Sequence, residues 1–151
     1  MNLQQRQVRE FHEAFAPIKD NTIPHTVDMG TASLRQRLMY EEFLEVSEEM
    51  FPGQENADED FTCDMDSVDL GKLAKELADL LYVVYGCAET YGIDIEPVFE
   101  EVHRSNMTKT GGSKREDGKI LKGDNYVPPD IAAIIAKQQE GWSWAPTGWR
   151  R

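Results

Sequence analysis

The sequence predicts an all-α bundle of four to five helices, and two observations carry that expectation. Apolar residues recur at i, i+3 and i+4 in successive windows, and each window sits between a capping residue and a helix breaker. In the first window Val8, Phe11 and Phe15 keep helical spacing after Asn2, with Gln5 three residues on in capping-box register. A helix is expected over 3–15. A loop with Pro17, Pro24 and Gly30 follows, and the second helix is expected to start at Ser33, with Gln36 in capping register, and to end near Pro52. Next comes GQENADEDFTCDMD, with six acids and no periodicity, which reads as an acidic, solvent-facing loop. It lacks the glycine and terminal glutamate of a calcium-binding EF-hand.

Leu70, Leu73, Leu77, Leu81, Val84, Ala88 and Tyr91 form the strongest helical stripe in the chain, ended by Gly92. A fourth helix starts at Asp94, accommodates Pro97 in its first turn, and fades near Asn106. The segment 104–125 is rich in glycine and charge and predicts no firm element; DGKILKGDNY suits a loop or a short hairpin. PPDIAAIIAKQQ predicts a short last helix, and GWSWAPTGWRR is an aromatic tail without periodicity. The expected organisation is one helical domain over 1–136, including the basic segment at 104–125, and a Trp-rich tail over 137–151.

At 151 residues the chain fits one domain with a core of its own, although part of its apolar surface is expected to need a partner. Apolar content of 40% and charged content of 29% argue against disorder of the whole chain. A net charge of −12 argues against a general binder of nucleic-acid polymers or anionic membranes, which are held by positive surfaces. The longest apolar run, LLYVV at 80–84, is far short of the roughly 20 residues that a spanning helix needs. Cys63 and Cys87 have no framework or metal spacing, and nothing at the N-terminus reads as a signal peptide, so a reducing cytoplasm is expected.

The chemistry is concentrated in YEEFLEVSEEM, residues 40–50, with five glutamates. At about 100° per residue, Glu41, Glu42 and Glu45 continue the line of Leu34 and Leu38, while Met39, Phe43, Val46 and Met50 form a second apolar stripe. The acids therefore extend a core face. Glu76 and Asp79 repeat the arrangement on the next helix, on roughly the line of Leu80, Val83 and Cys87. Carboxylates converging in a partly buried space repel one another unless cations neutralise them. An all-oxygen donor set favours a hard ion such as Mg²⁺ or Mn²⁺, and Mg²⁺ shares its remaining positions with phosphate oxygens. An EExxE segment alone is more often a solvated helix face, and Lys72 and Lys75 offer ordinary pairing partners at helical spacing.

EExxE at Glu41, Glu42 and Glu45, followed by ExxD at Glu76 and Asp79, closely resembles the MazG-like branch of the all-α nucleoside triphosphate pyrophosphohydrolases. The resemblance covers roughly residues 34–110, and the downstream VHRSNMTKTGGSKREDGKILKGDNYVPPDI is similar to an extension in some phosphoribosyl-ATP pyrophosphohydrolase-like and MazG-like proteins. It implies Mg²⁺-dependent hydrolysis of a nucleoside triphosphate to monophosphate and pyrophosphate, on a bundle working as a dimer or dimer of dimers. It also implies that Glu42, Glu45, Glu76 and Asp79 are metal ligands, with Glu41 a further ligand or the base that orients water. The Trp-rich tail has no counterpart in that resemblance.

A triphosphate also needs cationic partners. Between 104 and 122 this acidic chain sets Arg104, Lys109, Lys114, Arg115, Lys119 and Lys122 against only Glu116 and Asp117. Asn106 and Lys109 are best placed to reach phosphates, with Arg104 and Lys122 as further candidates. A solvated basic loop is the plainer reading, at least for Lys114, Arg115 and Lys119, and Asn106 also suits a helix C-cap. His12, His25 and His103 are scattered and receive no role. Cys87, Met39 and Met50 read as packing, and the three tryptophans of the tail as cover for the bundle or a second subunit or as contacts to a base, with subunit packing preferred. Phosphoribosyl-ATP hydrolysis in histidine synthesis and non-catalytic nucleotide sensing share the same metal logic. A di-iron bundle does not fit, because its ExxH pairs are missing.

Overall fold

Each α-helix opens on an Asn or Asp whose side chain accepts a hydrogen bond from a free backbone N–H of the first turn. The computed structural model describes residues 1–18, 21–53, 65–110 and 112–151. Among these lie α1 (Leu3–Phe15), α2 (Met29–Met50), α3 (Leu70–Thr90), α4 (Ile95–Met107) and α5 (Ile131–Gln139), with a 3-10 turn at Met65–Ser67. Their caps are Asn2, Asp28, Asp69, Asp94 and Asp130. The fold is all-α, as the periodicity predicted. Most of the expected acidic loop falls outside the described residues.

Two caps depart from expectation. Helix α2 begins ahead of Ser33, because Asp28 accepts from both the Thr31 amide (3.0 Å) and the Thr31 hydroxyl (2.6 Å), and the helix then runs through Gly30. At α1 the Asn2 side chain does cap Gln5, at 2.9 Å, but the Gln5 side chain is turned into the protein. At the other end of α3, Gly92 (φ +67°) reverses the chain, with Ile93 N–H donating to Ala88 O at 2.9 Å. A methyl group at Gly92 would sit 2.2 Å from the Ile23 carbonyl, so the turn needs glycine for space as well as for φ.

Helix α3 is the centre of the bundle, with α2 and α1 packed along it and α4 against α5. Both neighbours run antiparallel to it. On α1, Gln5 meets Glu89 and Phe11 meets Tyr82; on α2, Arg35 lies by Gly86 while Glu42 lies by Glu76.

The interior of the described residues is unusually polar. Val8, Val46 and Ala88 are its buried apolar residues, beside fully buried Gln5 and Glu89 and buried His12, Thr90, Ser105 and Gln138. Glu89 accepts from Gln5 Nε2 (2.7 Å), Arg9 Nε (2.7 Å) and Asn21 Nδ2 (3.5 Å). Gln5 also donates to Ile93 O at 2.7 Å and accepts from Ile95 N–H at 3.1 Å, and Gln138 bridges both backbone groups of Asp94. These side chains satisfy the backbone of the α3–α4 turn where no helix can.

Large apolar residues lie outside instead. Of the stripe expected to form the core, Ala88 is buried, but Leu70, Leu77, Leu81 and Val84 are exposed, as are Phe43 and Leu44 on α2. The buried part of α3 is its last stretch, Gly86 and Ala88–Thr90.

After α4 the chain makes an excursion closed at its stem by Ser105 Oγ donating to Val127 O (2.8 Å) and Val127 N–H donating to Thr108 Oγ1 (2.8 Å). Inside it a single antiparallel bridge pairs Lys114 with Ile120. Helix α5 (Ile131–Gln139) lies within the expected PPDIAAIIAKQQ segment, and the chain then forms a hairpin of β1 (Ser143–Ala145) and β2 (Gly148–Arg150). Strand periodicity could not announce so short a hairpin; Trp144 faces Trp149 across it with ring centroids 5.3 Å apart, and Lys137 lies over the Trp149 ring. Among the described residues no helix is long and apolar enough to cross a membrane.

Replacing Glu89 by alanine leaves Arg9 and Gln5 without their acceptor. Urea unfolding of Glu89→Ala is expected to show a loss of about 3–5 kcal/mol, the range for breaking a buried ion pair from one side.

Candidate active site

The antiparallel pairing of α2 and α3 decides which acids meet. Glu42 and Glu45 project from α2 and Glu76 from α3, and each offers an oxygen within 4.8 Å of the other two. Glu42 and Glu76 are partly buried and Glu45 is exposed. Asp79, one turn along α3 from Glu76, joins them through Lys75, whose Nζ lies 2.9 Å from Glu76 Oε2 and 2.9 Å from Asp79 Oδ2. Of these four carboxylates, two are paired with the Lys75 ammonium.

The electrostatics record that imbalance. Burial, followed by the charges of Glu45 and Asp79, holds the Glu42 carboxyl above its usual pKa, and Lys75 only partly opposes them. Hydrogen bonds to Asp79 and Glu76 hold the Lys75 ammonium well above its usual value, so it stays charged. The pairing anticipated for Lys75 does form, but only with acids of its own helix. Glu41 stands apart: it is exposed, with Arg37 Nε 3.9 Å from its Oε1.

The cations expected to meet phosphate are in differing states. Arg104 is committed to Glu101 through two 2.7 Å hydrogen bonds, a pair that pulls the Glu101 carboxyl down to about 2, and also donates to Pro128 O. Lys122 lies over the Tyr126 ring at 4.5 Å. Asn106 and Lys109 line a cavity of about 460 Å³ with Met107, Lys119 and Ile120. Arg115 is paired with Asp117. Asn106 is not the cap of α4; that place is taken by Thr108, whose N–H donates to Asn106 O and Ser105 O.

Two features escaped sequence reasoning. Glu89, an acid set in the apolar stretch LLYVVYGCAET, is fully buried, and its company was the available signal. Arg35 lies half-buried beside His12, for which no spacing rule gives a hint.

Helices α2 and α3, with the acids they bring together, fall inside the span of one known family. Residues 8–106 match the model of phosphoribosyl-ATP pyrophosphohydrolase. The chain belongs to that family. Comparison with curated proteins gives no match. The phosphoribosyl-ATP pyrophosphohydrolases fall in the MazG-like helical superfamily, so the expected resemblance holds, and membership makes the chain a pyrophosphohydrolase acting on phosphoric anhydrides. Enzymes of this family generally use divalent metals, and the donor set here suits one: oxygen ligands only, in net negative excess, with one carboxyl held reluctant to ionise.

A raised carboxyl pKa means the folded state prefers that group neutral. Stability from its protonation is present at low pH and is lost as pH rises from the usual glutamate value through the raised one. In EDTA at pH 7, Glu42→Gln is therefore expected to melt above the parent protein in calorimetry, whereas an ordinary solvated glutamate would give no gain.

Proposed function

We propose that this protein hydrolyses a nucleoside or deoxynucleoside triphosphate to the monophosphate and pyrophosphate, with Mg²⁺ as its cofactor and Mn²⁺ as a substitute. The convergence of Glu42, Glu45 and Glu76 carries the reading. With Asp79 they would hold the metal, which when bound polarises phosphoryl oxygens and lowers the pKa of a water. Glu41, exposed and apart from them beside Arg37, would serve as a further ligand or orient the attacking water only by turning toward the cluster. Lys75 keeps Glu76 and Asp79 positioned. Asn106 and Lys109 at the end of α4 would contact the phosphates. Arg104 and Lys122 can do so only by leaving Glu101 and Tyr126.

Phosphoribosyl-ATP is an equally supported substrate, because it is the one the family description names. It needs the same metal chemistry and a roomier pocket. Nucleotide-pool house-cleaning follows from the first reading and a step of histidine synthesis from the second. Net charge of −12 disfavours a nucleic-acid polymer as substrate. The free Cys87 thiol fits a reducing cytoplasm.

The working form is proposed to be a homodimer or a dimer of dimers. Leu81 is 57% exposed and Phe43 54%, on the two helices that carry the acids, and large exposed apolar side chains of this kind favour a subunit contact. Leu81→Glu is expected to convert the assembly to monomers in sedimentation velocity; an unchanged sedimentation coefficient would exclude this face.

Pyrophosphate release over a panel of ribo-, deoxy- and phosphoribosyl-triphosphates, with and without Mg²⁺, selects the substrate; binding without release would point to a sensor. Glu45→Gln and Asp79→Asn are expected to lower turnover by about 10²–10³-fold, the several kcal/mol a positioned metal supplies, with an unchanged helical circular dichroism spectrum. Parent-like turnover in either variant would remove these residues from the site. Lys109→Ala is expected to raise KM more than it lowers kcat.

A further inference from the structure

In a protein of net charge −12, Arg35 is a cation that forms no ion pair with the described residues. Its Nε is buried and has no hydrogen-bond partner, and the guanidinium has no ion pair among the described residues. It meets His12, which is 7% exposed and whose Nδ1 is likewise buried and unpartnered, over Gly86 of α3. A methyl group at Gly86 would lie 3.3 Å from His12 Nε2 and 3.5 Å from Arg35 Nη1, so both groups pack closely over this glycine of α3. Neither titratable neighbour in contact with it supplies a negative charge. Burial pushes the Cys87 thiol up more than Arg35 pulls it down, which leaves it uncharged. Burial, then Arg35 itself, holds His12 below its usual pKa, so the ring stays neutral at pH 7. A guanidinium cannot shed its proton to escape such a position.

The same arginine opens onto a cavity of about 490 Å³ between the end of α1 and the start of α2, bounded also by His25, Thr26, Leu34 and Thr90. Asp28 is at its edge, its carboxylate accepting from the Thr31 amide and hydroxyl and remaining charged, with no ion pair to Arg35. Half-buried charges are normally paired. Here the pairing space is an open cavity of ligand size.

We propose that this cavity is an oxyanion-binding site in which the Arg35 guanidinium takes the oxygens of a phosphate group. The pocket and its charge stand without reference to catalysis; the choice of phosphate rests on the proposed hydrolase reading. Arg35 precedes Glu42 by two helical turns, about 10 Å along α2. The phosphate is therefore either a free ion or a group on the substrate distant from the bond that is cut.

Orthophosphate titrated by calorimetry into the full-length protein in EDTA, at constant ionic strength, tests the site with the acidic cluster unable to contribute. Saturable binding is expected in the parent and a loss of at least about tenfold in Arg35→Met, as for removal of hydrogen bonds to a charged group. Arg35→Lys, which keeps the charge, is expected to bind between the two and serves if Arg35→Met does not fold. Ligand-free Arg35→Met is expected to melt no lower than the parent, since it removes an uncompensated charge, and phosphate should raise the melting temperature of the parent alone.

Absent binding by the parent, or binding unchanged in both variants, overturns the proposal. So does dissociation of Arg35→Met into less stable monomers, which would assign the guanidinium to a contact between copies. With Mg²⁺ and a non-hydrolysable triphosphate present, displacement of orthophosphate identifies the substrate's own phosphate as the ligand. Simultaneous binding identifies a free ion. If no triphosphate is hydrolysed while orthophosphate still binds through Arg35, the hydrolase reading fails and this site stands.

Discussion

The antiparallel seating of α2 along α3 is the constraint on which the other features depend. It sets Glu42 and Glu45 opposite Glu76 at one level, and Arg35 beside Gly86 at another. Both levels are electrostatically unfinished. At the first, the ammonium of Lys75 pairs with two of four carboxylates; at the second, a guanidinium forms no ion pair among the described residues. Packing gains have to outweigh the cost of holding like charges together, because folding stability is a small difference between large terms. Unbalanced charge of opposite sign at two levels of one helix pair is the arrangement expected where a folded protein awaits ions and charged ligands.

Much of what holds the bundle is polar. Glu89 is fully buried, and Gln5, Arg9 and Asn21 surround it. Gln5 and Gln138 reach past the helices to satisfy the backbone of the α3–α4 turn, and the N-terminal ammonium group lies 2.7 Å from Asp94 and 2.9 Å from Glu96 beside it. Such contacts fix register sharply, because a shift of one residue would strand a charge. They contribute less net stability than apolar burial, and the apolar residues that could supply it, Leu77, Leu81 and Phe43 among them, lie on outer faces. One chain thus specifies its own geometry while leaving a large apolar surface to be covered.

The basic segment after α4 shows how composition overstates available charge. Glu101 takes Arg104 and Asp117 takes Arg115, so the local excess of cations is smaller at the surface than in the sequence. Charge-assisted pairs at two- and three-residue spacing form wherever the backbone permits.

By itself the sequence determined the helices and the acids. Helical period, Asn and Asp caps and Gly92 are local properties, readable within a turn or two, which is why α1, α3 and α4 fall where expected. The start of α2 was misjudged because Asp28 and Ser33 are both competent caps, and the choice turns on the Thr31 hydroxyl bonding to Asp28. The hairpin of the tail was invisible because three-residue strands carry no period. Only the tertiary structure decided which apolar stripe is buried, that Glu41 stands aside while Glu42, Glu45 and Glu76 meet, and that Arg35 finds no partner among the described residues. Each of these depends on distances between residues far apart in the chain, and a single sequence records neighbours along the chain but not across it.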